Sequence, residues 1–328
     1  MDWPHAAYCA AVMDRQQTVK SSLMQELQAC WRGMPYRWIF VLLLAAWGLF
    51  FQMLGNSTFG YVDTPSLFGW MYNAYNAPGS DDGHGNLIPI VVLVLMGWKR
   101  HELMSVPKGV WGPALGLLGL ATACHLVGYL IQQPRISILA FFLGIYGLMG
   151  LCWGKAWLRA TFFPFVLFLF CIPIGSLAES LTFPLRMLVT TISVGISQHG
   201  LGIDVIREGS RLMSPDQRFV YDVAPACSGI RSLISLLALT TIYGFVVFRT
   251  PWKRLLMVAI ALPLAVAGNV ARITSVIIAA EAFGQEIGAK VHDGAGFITF
   301  LLAIGCVAAL GVWLREKPAV GPKEDSVA

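Results

Sequence analysis

A chain of 328 residues that is 56% hydrophobic and only 12% charged is not a soluble globular protein, since soluble domains are roughly a quarter charged; most of it must be solvated by lipid. Its net charge of +5 is modest and its basic residues sit in short connectors between apolar runs, so nucleic acid is not an expected partner and membrane lipid is. Seven cysteines without a CxxC pair, with Cys124, Cys152, Cys171 and Cys306 inside apolar runs, exclude a disulfide framework and a zinc site, and no metal or other cofactor is expected.

Residues 1–35 carry Asp2, Asp14, Arg15, Lys20, Glu26 and Arg32 before any long apolar run, unlike a cleaved signal peptide, and are expected to form a cytoplasmic N-terminal segment. Apolar stretches then predict spans at about 38–54, 87–98, 110–131, 136–153, 161–178, 228–248, 255–280 and 296–314. The expected fold is therefore all-α: a polytopic transmembrane helical bundle of about eight spans over residues 36–315, with a disordered cytoplasmic tail at 316–328. Eight spans put both termini on one face. Arg32, Arg37, Lys99, Arg100, Lys108, Lys155, Arg159, Arg249, Lys253, Arg254, Arg315 and Lys317 fall on that face, which the positive-inside rule makes cytoplasmic. The opposite face receives the long 55–86 connector, the 281–293 connector and residues 200–226.

Three details follow along the chain. Gly112, Gly116 and Gly119, spaced four and three apart, are read as allowing close helix packing. Residues 182–199 contain Arg186, Ser193, Ser197, Gln198 and His199 and are better placed at the outer interface, or re-entering it, than across the bilayer. Around Gly209 and a Ser214-Pro215-Asp216 turn, residues 203–223 read as a short β-hairpin in the outer connector.

Polar residues at the ends or in the interior of spans need a reason to be there. Cys227 stands in Pro225-Ala226-Cys227-Ser228-Gly229-Ile230-Arg231, where the outer connector turns into a span. Unpaired amides and the dipole at such a helix N-terminus favour a thiolate, and Arg231 lies on the same helical face. Arg272 lies deep in an otherwise apolar span, so it faces the bundle interior or a wet cavity, with Asn269 one turn earlier. His292 is expected to open the last span, at the outer side, where an imidazole exchanges protons near neutral pH. Cys227, Arg272 and His292 together suggest acyl transfer, with Arg231, Asn269 and Ser228 in support. Lone cysteines in membrane helices are usually small packing residues, and Cys171 is read so. Arg186 is read as snorkelling, His84 as a loop or packing determinant, and His125 as without companions.

At these residues the chain resembles the exosortase and archaeosortase family. The resemblance rests on ordered motifs: His84-Gly85 before Leu87-Ile88-Pro89, Trp98-Lys99-Arg100, Ile172-Pro173, Pro184-Leu185, Arg207-Glu208-Gly209, Ala226-Cys227-Ser228-Gly229-Ile230-Arg231-Ser232-Leu233, Asn269 with Arg272, and His292. It covers roughly residues 84 to 296 and implies a membrane-embedded cysteine protease or transpeptidase with Cys227, Arg272 and His292 as its catalytic set. The substrates so implied are exported proteins bearing a C-terminal Pro-Glu-Pro-like motif, a hydrophobic helix and a basic end. They would be cleaved at the outer face of the bacterial inner membrane, with transfer of the new carboxyl terminus to another nucleophile as a further option. The rival from another class is a transporter or channel with Arg272 lining the substrate path, against which no inverted repeat of interrupted helices is visible.

Overall fold

A computed structural model describes residues 23–174, 176–222 and 230–316. The chain divides into two compact units, one running up to Ala77 and resuming over Gly83–Pro173, the other made of Pro78–Asp82 and the chain from Ile174 onward. The first unit holds α1 (residues 23–32), α2 (Arg37–Leu54), α3 (Leu67–Asn76), α4 (Ile88–Trp98), α5 (Arg100–Ser105), α6 (Ala114–Leu130) and α7 (Pro134–Val166), which continues as a 3-10 turn over Leu167–Cys171. The second holds α8 (Ser176–Gly195), β1 (Ile206–Glu208), β2 (Arg211–Met213), β3 (Val220–Asp222), α9 (Ile230–Val247), α10 (Pro251–Ala259), α11 (Ala261–Phe283) and α12 (Gln285–Trp313). Arg37–Leu54, Pro134–Cys171, Pro251–Phe283 and Gln285–Trp313 are long and apolar enough to cross a membrane, and Ile88–Trp98, Ala114–Leu130 and Ser232–Val247 are shorter apolar helices. The molecule is a multi-pass helical membrane protein.

In the first unit, the stretch from Pro134 to Cys171 is not one span. A straight helix of 38 residues would run about 57 Å, nearly twice the hydrocarbon thickness. Gly154 breaks it with φ 92° and ψ 173°, a backbone conformation open to glycine and costly elsewhere, and a Cβ there would stand 2.8 Å from the Gly109 carbonyl oxygen. The two halves then fold back on each other. Tyr146 Oη donates to the Leu158 carbonyl at 2.6 Å, the Tyr146 and Phe165 rings sit 4.9 Å apart, and Phe142 stacks on Phe168 at 4.2 Å. The result is an antiparallel helical hairpin, as the separate stretches at 136–153 and 161–178 anticipate.

The glycines that bring helices together are not those expected. A Cβ on Gly112, Gly116 or Gly119 would meet nothing within 4 Å, whereas one on Gly128 would strike Ile136 and Ser137, on Gly144 the Trp47 ring, and on Gly147 Leu118. Helix α6 turns the face carrying Ala114, Ala121, His125 and Gly128 inward; Gly116 and Gly119 lie off that face, and Gly112 precedes the helix. His125 does have companions: its Nδ1 is 3.0 Å from Ser137 Oγ and its ring centroid 4.4 Å from that of Phe51. Part of the N-terminal segment is folded too, with Arg100 donating through Nε and Nη2 to Glu26 at 2.9 and 2.6 Å.

In the second unit, the expected hairpin is a three-stranded antiparallel meander, β1-β2-β3, pairing Ile206 with Met213 and Met213 with Val220. Both turns and the alternation of the outer strands, Ile203, Val205 and Arg207 on one side and Arg218, Val220 and Asp222 on the other, are legible in the sequence; the middle strand, Arg211–Met213, is the addition. The sheet sits on α11 through Val205, Leu212 and Phe219, buried with Val270, Ile273, Ile277 and Ala280. The 182–199 stretch is helical and packed into this unit: Arg186, Thr190, Ser193 and Ser197 are buried, and Ser193 Oγ is 3.5 Å from the Val270 carbonyl. The expected 281–293 connector is almost entirely helix. Only Gly284, at φ 89°, separates α11 from α12, which begins eight residues before Asp293 rather than after it.

At the opposite end of α12 the chain is tied to the start of α10. The Glu316 carboxylate accepts from the Arg249 and Thr250 amides, each at 3.0 Å, and Lys253 Nζ donates to the Leu314 carbonyl at 2.7 Å. Glu316 therefore belongs to the folded part rather than to the tail, and residues 317–328 lie outside the described residues. Hydrogen bonds from Thr250, then from Arg249, with Lys253 nearby, pull the Glu316 carboxyl down to about 2. A depressed carboxyl stabilises the fold fully above its ordinary value of 4.5 and stops doing so as pH falls through about 2. Thermal midpoints in detergent should thus fall between those two pH values, and Glu316→Gln should flatten that part of the profile.

Candidate active site

Helices α11 and α12 form a hairpin about the Gly284 turn, which places Arg272 about 18 Å and His292 about 12 Å along their helices from it. The long arginine side chain closes the difference. Its Nε and Nη2 donate to the His292 carbonyl oxygen at 3.1 and 3.0 Å, and Nη2 comes within 3.5 Å of His292 Nδ1, at the limit of a hydrogen bond. Among the described residues Nη1 makes no hydrogen bond. One edge of the guanidinium is thus spent on holding the helix that carries the imidazole, and the arginine also borders a cleft.

That cleft is small, and is lined by the polar or small residues Ser232, Asn269, Arg272, Gly296 and Thr299 and by the apolar Leu236, Leu264, Phe300 and Ala303. Asn269 is buried, with 7% of its surface exposed. It borders this cleft and a second small recess beside Leu185 and Val189, but among the described contacts it makes no hydrogen bond to Arg272. Ser232 brings α9 to the same cleft. A guanidinium with free donors beside an imidazole, in a half-apolar cleft within the bundle, is equipped to stabilise an oxyanion and to move a proton.

The family model of the transmembrane exosortases matches residues 70–309, a range that contains the whole cleft. The chain belongs to the transmembrane exosortase family. Neither a curated protein nor a solved structure matches it.

Of the residues singled out in the sequence, the structure brings Arg272 and His292 of this exosortase together and sets Asn269 beside them. Cys227 and Ser228 lie outside the described residues, as does the side chain of Arg231. Their chain neighbours are placed: Ser232, five residues after Cys227, borders the arginine cleft, and Tyr221, six residues before it, rests on α12 through the Gln285 carbonyl at 2.5 Å. His292 does not open its helix as expected but sits in its third turn, because Gln285–Val291 is helical. Cys171, read as packing, is fully buried with Sγ 3.8 Å from the Gly85 carbonyl. His84 flanks Gly85, whose missing Cβ makes room for the Tyr75 ring.

One site determinant escaped the sequence. A Cβ on Gly296 would lie 3.1 Å from Arg272 Cζ and 3.3 and 3.4 Å from its two terminal nitrogens, so the guanidinium crosses α12 over a glycine one turn beyond His292. The signal available was spacing, a small residue four positions from the histidine. In the exosortase, Gly296→Ala should displace the guanidinium and lower turnover by about tenfold, the cost of a weakened charge-assisted hydrogen bond, while membrane insertion and yield are unchanged.

Proposed function

We propose that the protein is a membrane-embedded cysteine protease, with transpeptidase capacity, acting on exported proteins that carry a C-terminal Pro-Glu-Pro-like motif, an apolar helix and a basic end. The observation that carries the proposal is the Arg272–His292 pair, held by two hydrogen bonds to the His292 carbonyl, in a chain of the exosortase family whose Cys227 lies five residues from the cleft-bordering Ser232. A five-residue segment reaches at most about 18 Å, so a thiol at position 227 lies within chain reach of the cleft, which supports the reading.

In the proposed cycle the Cys227 thiol gives its proton to His292 and the sulfur attacks the scissile carbonyl carbon. The oxyanion that forms is met by the free Nη1 edge of Arg272. Collapse breaks the C–N bond, His292 returns the proton to the departing amine, and a thioester on Cys227 remains. Water or an amine then attacks the thioester, His292 accepts its proton, and the thiol is restored. The site would face the outer side of the inner membrane, with both termini in the cytoplasm by the distribution of Lys and Arg. A translocation path along Arg272 fits less well, since that arginine is anchored to the neighbouring helix instead of lining an open route.

The experiment is processing of a co-expressed exported reporter with and without the tripartite tail. Cleavage should require the tail, and His292→Gln should lower the rate by on the order of 10²-fold or more while the protein still inserts. Tail-independent cleavage, or an unaffected His292→Gln variant, would defeat the proposal.

A further inference from the structure

The two halves of the α7 hairpin leave a groove between them that the catalytic cycle does not use. Its volume is about 200 Å³, and it is lined by Leu139, Phe142 and Tyr146 from the first half and by Phe162, Phe165 and Leu169 from the second. For scale, an apolar cavity of about 150 Å³ holds a benzene molecule. Every lining residue but Tyr146 is apolar, and the Tyr146 hydroxyl is engaged with the Leu158 carbonyl at 2.6 Å. The Phe142 and Phe168 rings, stacked 4.2 Å apart, stiffen the wall, and Leu139, Phe162 and Leu169 leave the rim exposed.

Arg135 stands at the open end of the hairpin. It shares a helical face with Leu139, Phe142 and Tyr146, at spacings of four, three and four residues. Its Nε donates to the Pro173 carbonyl at 2.6 Å, next to Ile172, which also lines the groove. The guanidinium is thereby tied from one half of the hairpin to the other, and among the described residues its two terminal nitrogens make no hydrogen bond. From Arg135 to Tyr146 the helix rises about 16 Å, half of a hydrocarbon core about 30 Å thick. Groove and cation thus correspond in depth to one leaflet. A partner helix, about 10–12 Å across, cannot enter so small a recess, whereas a single hydrocarbon chain can.

We infer that this groove binds one acyl chain of a phospholipid whose phosphate is held by the terminal nitrogens of Arg135. Lipid tails are as apolar as the groove itself, so moving a chain into it gains little and the arginine supplies the selectivity. A guanidinium suits the task because it meets phosphate through a fork of charge-assisted hydrogen bonds. The bound chain fills the gap between the two halves and braces the hairpin that the Gly154 break creates. The site lies wholly within the first unit and is independent of the catalytic assignment.

The full chain, purified in a detergent without phosphate, is titrated with a phosphatidylglycerol carrying a diazirine on one acyl chain, irradiated, digested and mapped. Labelling at Leu139, Phe162 and Leu169 should saturate and exceed that at Leu42 and Leu93, which are at least as exposed but lie outside the groove. Unlabelled phosphatidylglycerol should compete about tenfold better than the diacylglycerol with the same chains, the worth of a hydrogen bond to a charged group. Arg135→Gln should erase that preference and Arg135→Lys should keep part of it. Leu139→Trp should abolish the saturable labelling at Phe162 and Leu169 and leave Leu42 and Leu93 unchanged. Uniform, unsaturable labelling, or a diacylglycerol that competes as well as the phospholipid, overturns the site. So does displacement of the label by an equimolar tailed peptide, which would assign the groove to a helix. The competition needs only the wild-type protein and decides the matter even if a variant fails to accumulate.

Discussion

Cys227→Ala should abolish processing of a tailed reporter, with a loss on the order of 10⁴-fold or more, as when the nucleophile is removed from an enzyme that works through a covalent intermediate. The protein should still insert and accumulate, because a single small side chain contributes little to a bundle of this size. Cys171→Ala provides the control. That residue is buried, but the hydrogen bond from the Tyr75 hydroxyl goes to its backbone carbonyl, which substitution leaves in place, so processing should be retained. Reporter cleavage resolved on a gel in both variants is sufficient, and equal activity in the two would remove the nucleophile.

Arg272 should give the second largest effect, and arginine chemistry rather than positive charge should account for it. Its Nε and Nη2 converge on the His292 carbonyl, a fork that a lysine ammonium cannot reproduce, while among the described residues Nη1 makes no hydrogen bond. Arg272→Ala removes both functions and should cost kcat about 10²- to 10³-fold, the range found for loss of an oxyanion donor. Arg272→Lys should remain at least about tenfold impaired despite its charge. If the lysine variant matched the wild type, the guanidinium would be serving only as a counter-charge. Because the interaction strengthens as the oxyanion forms, the loss should fall mainly on kcat.

The apolar spans were legible because lipid imposes a minimum length on every crossing, and this survives even where one helical stretch hides two passes, as at Gly154. Arg272 was legible for the complementary reason: a guanidinium in an apolar span needs a partner, and its partner proved to be the helix bearing His292. The start of α12 was not. Glu286, Lys290, His292 and Asp293 read as an outer connector, yet in the structure they belong to a 29-residue helix, and Gly284 is what separates it from α11. The glycines misled in a similar way. Gly112, Gly116 and Gly119 form a neat pattern and face open space, whereas Gly288 and Gly296 make room for the side chains of Tyr221 and Arg272, which no single-helix pattern reveals.

The central claim is that a thiol, a guanidinium and an imidazole from three parts of the chain occupy one pocket. The most direct test is a variant in which Cys227 is the sole native cysteine and His292 is replaced by cysteine, treated with oxidant or a short bifunctional thiol reagent and digested. Shared occupancy predicts a linked peptide pair joining positions 227 and 292. Recovery of the two thiols only as separately alkylated peptides, with Cys227 labelled from the cytoplasmic side, would contradict it.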